Sequence, residues 1–247
     1  PGDVPINASR VTQTVMVEGN FTGLPSEFSA GQPRRDGRMS TGLYAAAGEI
    51  VNITVPQHIV GSGVNILVSA HTDKLWNKDT LKRHPVIFRT FEADSTHFTV
   101  GNAFGGTIYV CIPAGSTLGE FYVTIENAVL APYWKQGETD LALWTSTIRH
   151  YPAPWAEIES GQFIMSVPSS NVRDLDTPNA TMEFWDTALE IQHNFSGFTP
   201  WPRVERAAFD VQISGGWMHS GYPFMAHLAN SEEVLNSTLM YSQGQWG

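Results

Sequence analysis

The first 130 residues are written in the two-residue period of half-buried strands. Val11-Thr-Gln-Thr-Val-Met-Val17 alternates β-branched and polar side chains, and Glu49-Ile-Val-Asn-Ile-Thr-Val55 repeats the pattern up to Pro56. Val64 to Ala70, Val86 to Phe91, His97 to Val100, Thr107 to Ile112 and Glu120 to Ile125 continue it, separated by clusters of Gly, Pro, Asn and Asp. Successive side chains on a strand point to opposite faces, so this alternation builds sheets with one buried face. Short strands at such intervals predict a sandwich or jelly roll over residues 1–130.

The pattern changes near Ala131-Pro132. Asp140 to Ile148 reads as helical or mixed, and Phe163 to Val167 as a strand closed by Pro168. In Asn179 to His193 the residues Met182, Trp185, Leu189 and Gln192 recur at three and four positions, which predicts a helix with one apolar face. Asp176 or Thr177 can cap it and Gly197 can end it. A strand over Ala207 to Ser214, a Gly-rich loop over Gly215 to Pro223 and a short helix over Ser231 to Tyr241 follow. Residues 131–247 are thus expected to form a mixed α/β unit.

The chain carries a formal charge of −10, with only 15% charged residues and 42% hydrophobic ones. Disorder is not expected from that composition. A nucleic-acid partner needs a basic face, and an anionic membrane surface makes the same demand. No apolar run reaches the ~20 residues of a membrane helix, so no membrane insertion is expected. The chain opens at Pro1 without Met or a signal peptide, which suggests a processed or trimmed terminus.

Six Asn-x-Ser/Thr sequons stand at Asn7, Asn20, Asn52, Asn179, Asn194 and Asn236, where chance gives roughly two. The excess predicts N-glycosylation and a secreted, extracellular protein. The single cysteine, Cys111, lies in an alternating strand and is expected to be a buried, inert thiol.

Chemistry is sparse. The sequence holds no His-Glu-x-x-His and no paired Cys-x-x-Cys, and no two of its eight His stand at helical spacing, so no metal ligands are assigned. Glu157/Glu159 and Asp174/Asp176 are i, i+2 pairs that share a strand face, either at a site or on an ordinary surface. The loop Gly215 to Pro223 is either a ligand-facing turn or a tight turn packed by Trp217 and Tyr222.

Five ordered phrases carry a resemblance. They are Ser40-Thr-Gly-Leu-Tyr-Ala-Ala-Ala-Gly-Glu49, Gly105-Gly-Thr-Ile-Tyr-Val110, Ala128-Val-Leu-Ala-Pro-Tyr-Trp134, Pro154-Trp-Ala-Glu-Ile-Glu159 and Asp210-Val-Gln-Ile-Ser-Gly-Gly-Trp-Met-His-Ser-Gly-Tyr-Pro223. Together they resemble the enhancin-type, mucin-degrading zinc metallopeptidases, the M-sixty-like family. The resemblance implies a β-sandwich (1–130) followed by the first half of a zincin-like α/β unit (131–247).

That family holds zinc on a His-Glu-x-x-His helix, whose two His share one face while the Glu acts as base. The helix is expected shortly after a Trp-Gly segment, and Gln245-Trp246-Gly247 ends this sequence. Zinc is therefore expected in the complete family domain, and no cofactor or catalytic residue is assigned here.

The resemblance makes strand 207–214 the edge against which substrate aligns. It makes Gln212, Trp217, His219 and Tyr222 the candidate substrate-binding residues. Expected partners are the remaining C-terminal part of the peptidase or a companion chain, and an O-glycosylated glycoprotein or glycan. The other reading is a catalytically inactive extracellular glycoprotein that binds protein or glycan through its sandwich.

Overall fold

A computed structural model describes residues 2–24, 36–197, 202–238 and 240. The chain divides into two compact units. The first comprises residues 1–72, 87–131 and 152–155, and the second comprises 73–86, 132–151 and 156–247. Each has its own core.

The first unit is a β-sandwich of eight strands: β1 (Val11–Phe21), β2 (Gly37–Ala45), β3 (Ile50–Thr54), β4 (Asn65–Val68), β5 (Arg89–Glu92), β6 (His97–Gly101), β7 (Gly106–Ile112) and β8 (Ser116–Leu130). They hydrogen-bond in the order β5-β4-β7-β2-β8-β3-β6, and β1 also pairs with β8. The alternation legible in β1 places Val15 and Val17 toward the core and Thr12, Thr14 and Met16 outside. β7 is buried along its whole length, Cys111 included.

The fifteen-residue β8 changes partners along its length. Thr124 to Glu126 pair with β3, whereas Val129 and Leu130 pair with β2. Asn127 sits between them at φ +64°, and its side-chain amide donates to Ile50 O at 2.7 Å. An unpaired residue in that conformation turns the strand.

β2 was not legible in the sequence. Its register shifts between Ser40 and Tyr44, around Gly42 at φ +68°. The irregularity breaks the two-residue period, and the Thr41 hydroxyl caps the distortion by donating to Ile108 O at 2.6 Å.

The second unit is built on a six-stranded sheet, with the α-helices α1 and α2 among its described residues. Its elements are β9 (Tyr133–Lys135), α1 (Leu141–Ser146), β10 (Trp155–Glu159), β11 (Phe163–Pro168), α2 (Pro178–Ser196), β12 (Glu205–Asp210), β13 (Met218–His219) and β14 (Phe224–His227). The sheet order is β13-β14-β12-β11-β10-β9. Parallel pairs β9–β10, β11–β12 and β12–β14 give way to the antiparallel pair β13–β14 at one edge.

One sheet face is apolar. Trp134, Ile158, Met165, Val167 and Phe209 pack there with Met182 of α2 and Trp144 of α1. α2 begins with Pro178 at its first turn and ends at Gly197, which is left-handed at φ +72° with its amide on His193 O. Thr177 occupies the cap position without a side-chain cap bond, and Asp176 pairs instead with Arg149 at 2.6 Å. α1 is capped by Asp140, whose carboxylate accepts from Leu143 N at 2.8 Å.

Two expectations change. The strand predicted over 207–214 ends at Asp210, and it is not an edge: β11 and β14 flank it. β14 went unread because four residues behind a Gly-rich loop carry no measurable period. The short helix expected over Ser231 to Tyr241 divides into a 3-10 turn at Glu233–Leu235 and α-helical residues at Ser237, Thr238 and Met240, and Tyr241 lies outside the described residues. Gln245-Trp246-Gly247 also lies outside them.

Candidate functional site

The edge of the second unit's sheet is the most structured candidate. β13 adds to β14 through Met218↔Ala226 and His219↔Met225, and His227 N donates to Trp217 O at 3.0 Å. Among the described residues nothing pairs with the other side of β13. A strand edge with free main-chain groups is a template for an extended peptide.

The four candidate residues cluster on or beside this edge, but their side chains differ in what they can offer. Gln212 is committed at both ends: its amide donates to Thr80 O at 2.8 Å, and its carbonyl accepts from Lys82 N at 2.7 Å. His219 Nε2 lies 3.0 Å from Asp73 Oδ2 and 3.2 Å from Ser214 Oγ, while Nδ1 lies 2.9 Å from Ser220 O. Tyr222 is buried beneath the Arg203 guanidinium, 3.5 Å above its ring.

Trp217 alone keeps a large open surface, at 55% exposure. One indole face stacks on His227 at 4.3 Å and 13°, and Nε1 donates to Asn230 Oδ1 at 2.5 Å. The ring is therefore locked in place with its other face available.

Residues 73–86 brace this edge, a pairing that local sequence patterns do not reveal because the segment lies more than a hundred positions upstream. Arg83 Nε donates to Asp210 Oδ2 at 2.7 Å, with both side chains nearly buried. Arg83 also donates to Asp73 O at 3.2 Å, and Asn77 donates to Ser214 O at 3.2 Å. Asp73 Oδ2 accepts from Ser214 N at 2.5 Å.

The Asp73, Ser214 and His219 group invites comparison with a nucleophilic triad. Its geometry is wrong for one: acid and hydroxyl meet the same ring nitrogen, so His219 cannot take a proton from Ser214 while Asp73 orients the opposite side. The group is a clamp. Burial works against the charged form of Asp73, but bonds from His219 and Ser214 outweigh it and hold the carboxyl below its usual range.

The pair Glu157/Glu159 is neither a surface feature nor an open site. Both side chains lie on the non-apolar face of β10 and are buried. Glu157 accepts from Arg206 Nη1 and from the Ser166 hydroxyl, the latter at 2.7 Å. Glu159 accepts from the Tyr133 hydroxyl. Burial raises the Glu159 carboxyl above its ordinary range despite that bond and the nearby Arg206 and Lys135. Asp174 and Asp176 are exposed. Among the described residues no group of three His, Cys, Asp or Glu is placed to hold a metal ion.

Truncation of Arg83 to Ala should leave Asp210 as an uncompensated buried charge and cost about 3 kcal/mol in urea unfolding. The paired change Arg83→Met with Asp210→Asn should recover most of that loss. Equal instability of the single and paired variants would contradict the account. Asp73 adds a pH dependence. Its lowered folded pKa stabilises fully above the unfolded value and is lost as pH falls through the folded one. The stability difference between wild type and Asp73→Asn should therefore shrink on acidification, as measured by urea midpoints across the acid range.

Comparison with known proteins places this architecture. A family model described as peptidase M60, enhancin and enhancin-like, matches residues 127–247, and that of the N-terminal domain of M60-like peptidases matches 7–126. TRPM8 channel-associated factor 2 of Bos taurus is 39% identical over 222 residues, covering 90% of this chain and 24% of the relative. The Danio rerio homolog is 40% identical over 85% of this chain and 23% of its own length. The chain thus spans about a quarter of the curated relatives it matches.

Among solved structures, the M60 catalytic domain of Clostridium perfringens ZmpC, in complex with the sialyl T antigen, superposes with a TM-score of 0.66. It is 14% identical, over 90% of this chain and 49% of that one. A protein from Bacillus anthracis gives 0.73 at 16% identity, over 94% and 48%. The two family matches cover nearly the whole sequence, and the chain belongs to the M60 peptidase family, enhancin and enhancin-like.

Proposed function

We propose that this chain supplies the non-catalytic, substrate-side part of a mucin- or glycoprotein-directed M60 peptidase unit. The sheet edge β13 would carry an O-glycosylated peptide. The observation that carries this reading is the antiparallel edge strand Met218–His219, whose outer side is unpaired among the described residues, next to the locked and exposed Trp217. An extended peptide can add to that edge by main-chain bonds, and an indole face can stack on a sugar or apolar side chain. Support comes from fold neighbours solved in complex with a sialyl T antigen and with an O-glycopeptide.

Zinc and the general base would come from a His-Glu-x-x-His segment, which this sequence does not contain. Binding, rather than bond cleavage, is the role assigned to these residues. The edge strand differs from the 207–214 stretch first expected, but the loop is the same.

A second reading rests on the 39% identity to a channel-associated factor. In it the unit is an inactive binding module of a larger protein. The two separate on one assay. Fluorescence anisotropy with a T-antigen-bearing peptide should show binding to the chain, and Trp217→Ala should weaken it about tenfold, the equivalent of one lost stacking contact. Absence of binding, or indifference to Trp217→Ala, favours the inactive module.

We also propose secretion with N-glycosylation. All six sequon asparagines are exposed, against only Asn77 of the six remaining asparagines. Treatment of the eukaryote-expressed chain with an N-glycanase should lower its intact mass, and an unchanged mass would remove this proposal.

A further inference from the structure

The segment Asp73–Val86 is locally basic in an acidic chain. Three of the four lysines, Lys74, Lys78 and Lys82, fall within nine residues. The segment's four Lys/Arg and two Asp leave it at +2, so the remainder of the −10 chain stands at −12. Two of these charges turn inward, Arg83 onto Asp210 and Asp73 onto His219. The lysines do not: Lys74 and Lys82 are exposed and Lys78 is half-buried.

Two large apolar side chains stand among them. Trp76 is 70% exposed, the most of any described tryptophan, and Leu81 is 48% exposed. Single exposed apolar side chains are common on protein surfaces, but here two of them lie on one short strap that also carries three lysines. The backbone beneath them is fixed. Leu75 is buried with its amide on Pro85 O at 3.0 Å, and Lys78 N donates to Leu75 O at 3.1 Å. Gln212 clamps Thr80 and Lys82. A surface held in one conformation before binding loses little entropy on docking.

We propose that this strap is a docking surface for an acidic polypeptide segment bearing an apolar side chain, with Trp76 and Leu81 as the apolar contact and Lys74, Lys78 and Lys82 as the charged rim. Tryptophan is among the side chains that dominate protein interfaces, and opposite charge at the rim selects the partner. An anionic bilayer or a nucleic acid fits less well. Either would bring the −12 body within a Debye length, about 8 Å, of a dense negative surface. A peptide segment needs to touch only the strap. The proposal does not depend on the reading of the β13 edge.

The test is fluorescence anisotropy with a fluorescein-labelled peptide of Glu residues around one central Phe, titrated with the full chain at low and at physiological salt. The acidic peptide should bind, more weakly as salt rises, and a matched peptide with Lys for Glu should not. Trp76→Ala and the pair Lys74→Glu with Lys82→Glu should each weaken binding about tenfold. Lys135→Glu, at the lysine outside the strap, should change nothing. All these side chains are at least partly exposed, and unchanged thermal midpoints would exclude unfolding as the cause. No binding of the acidic peptide, or equal binding by the strap variants, overturns the proposal. Sedimentation with phosphatidylcholine–phosphatidylserine vesicles through the same residues, without peptide binding, also overturns it and assigns the strap to a membrane.

Discussion

The ion pair between Arg83 and Asp210 is the contact on which the edge of the second unit's sheet depends. Asp210 is the last residue of β12, and beyond it the chain leaves the sheet for the loop that returns as β13. A buried carboxylate at a strand end is costly unless a cation meets it. Arg83 meets it, and with the carboxylate settled, Asp73, Asn77, Thr80 and Lys82 all bond to residues 212–219. A two-residue strand has too few ladder bonds to stand alone, so β13 relies on that backing.

The same logic shapes the interior of the unit. One sheet face is an ordinary apolar core under α1 and α2, which burial of Trp134, Trp144, Phe209 and Met182 stabilises. The opposite face carries Glu157, Glu159, Ser166, Arg206 and Tyr133, linked strand to strand across β9 to β12. A network of this kind adds little net stability compared with an apolar core, because desolvation offsets most of the attraction. It does fix register, since a one-residue slip of β10 would turn both carboxylates into the apolar face.

Legibility followed periodicity. β1 and β3 alternate apolar and polar side chains and β7 is a short run of strand-forming residues, so the sandwich could be read directly, as could α2 from its three- and four-residue spacing. β2 escaped because Gly42 and the register shift beside it break the period. β13 and β14 escaped because two and four residues contain no period at all. The phrase from Asp210 to Pro223 located the loop correctly, yet β12 lies inside the sheet, and the edge falls eight residues further on.

The sequence by itself determined the family, the sandwich-then-α/β order and the neighbourhood of the candidate site, because local alternation, helical spacing and motif phrases are all short-range properties. Only the tertiary structure decided which side chains there are free. Gln212, His219 and Tyr222 read as equivalents of Trp217 in the sequence. They are occupied by Thr80 and Lys82, by Asp73, and by Arg203, while Trp217 keeps an open face. Three of those partners, at residues 73, 80 and 82, stand more than a hundred positions upstream, and side-chain availability is set by neighbours in space rather than neighbours in the chain.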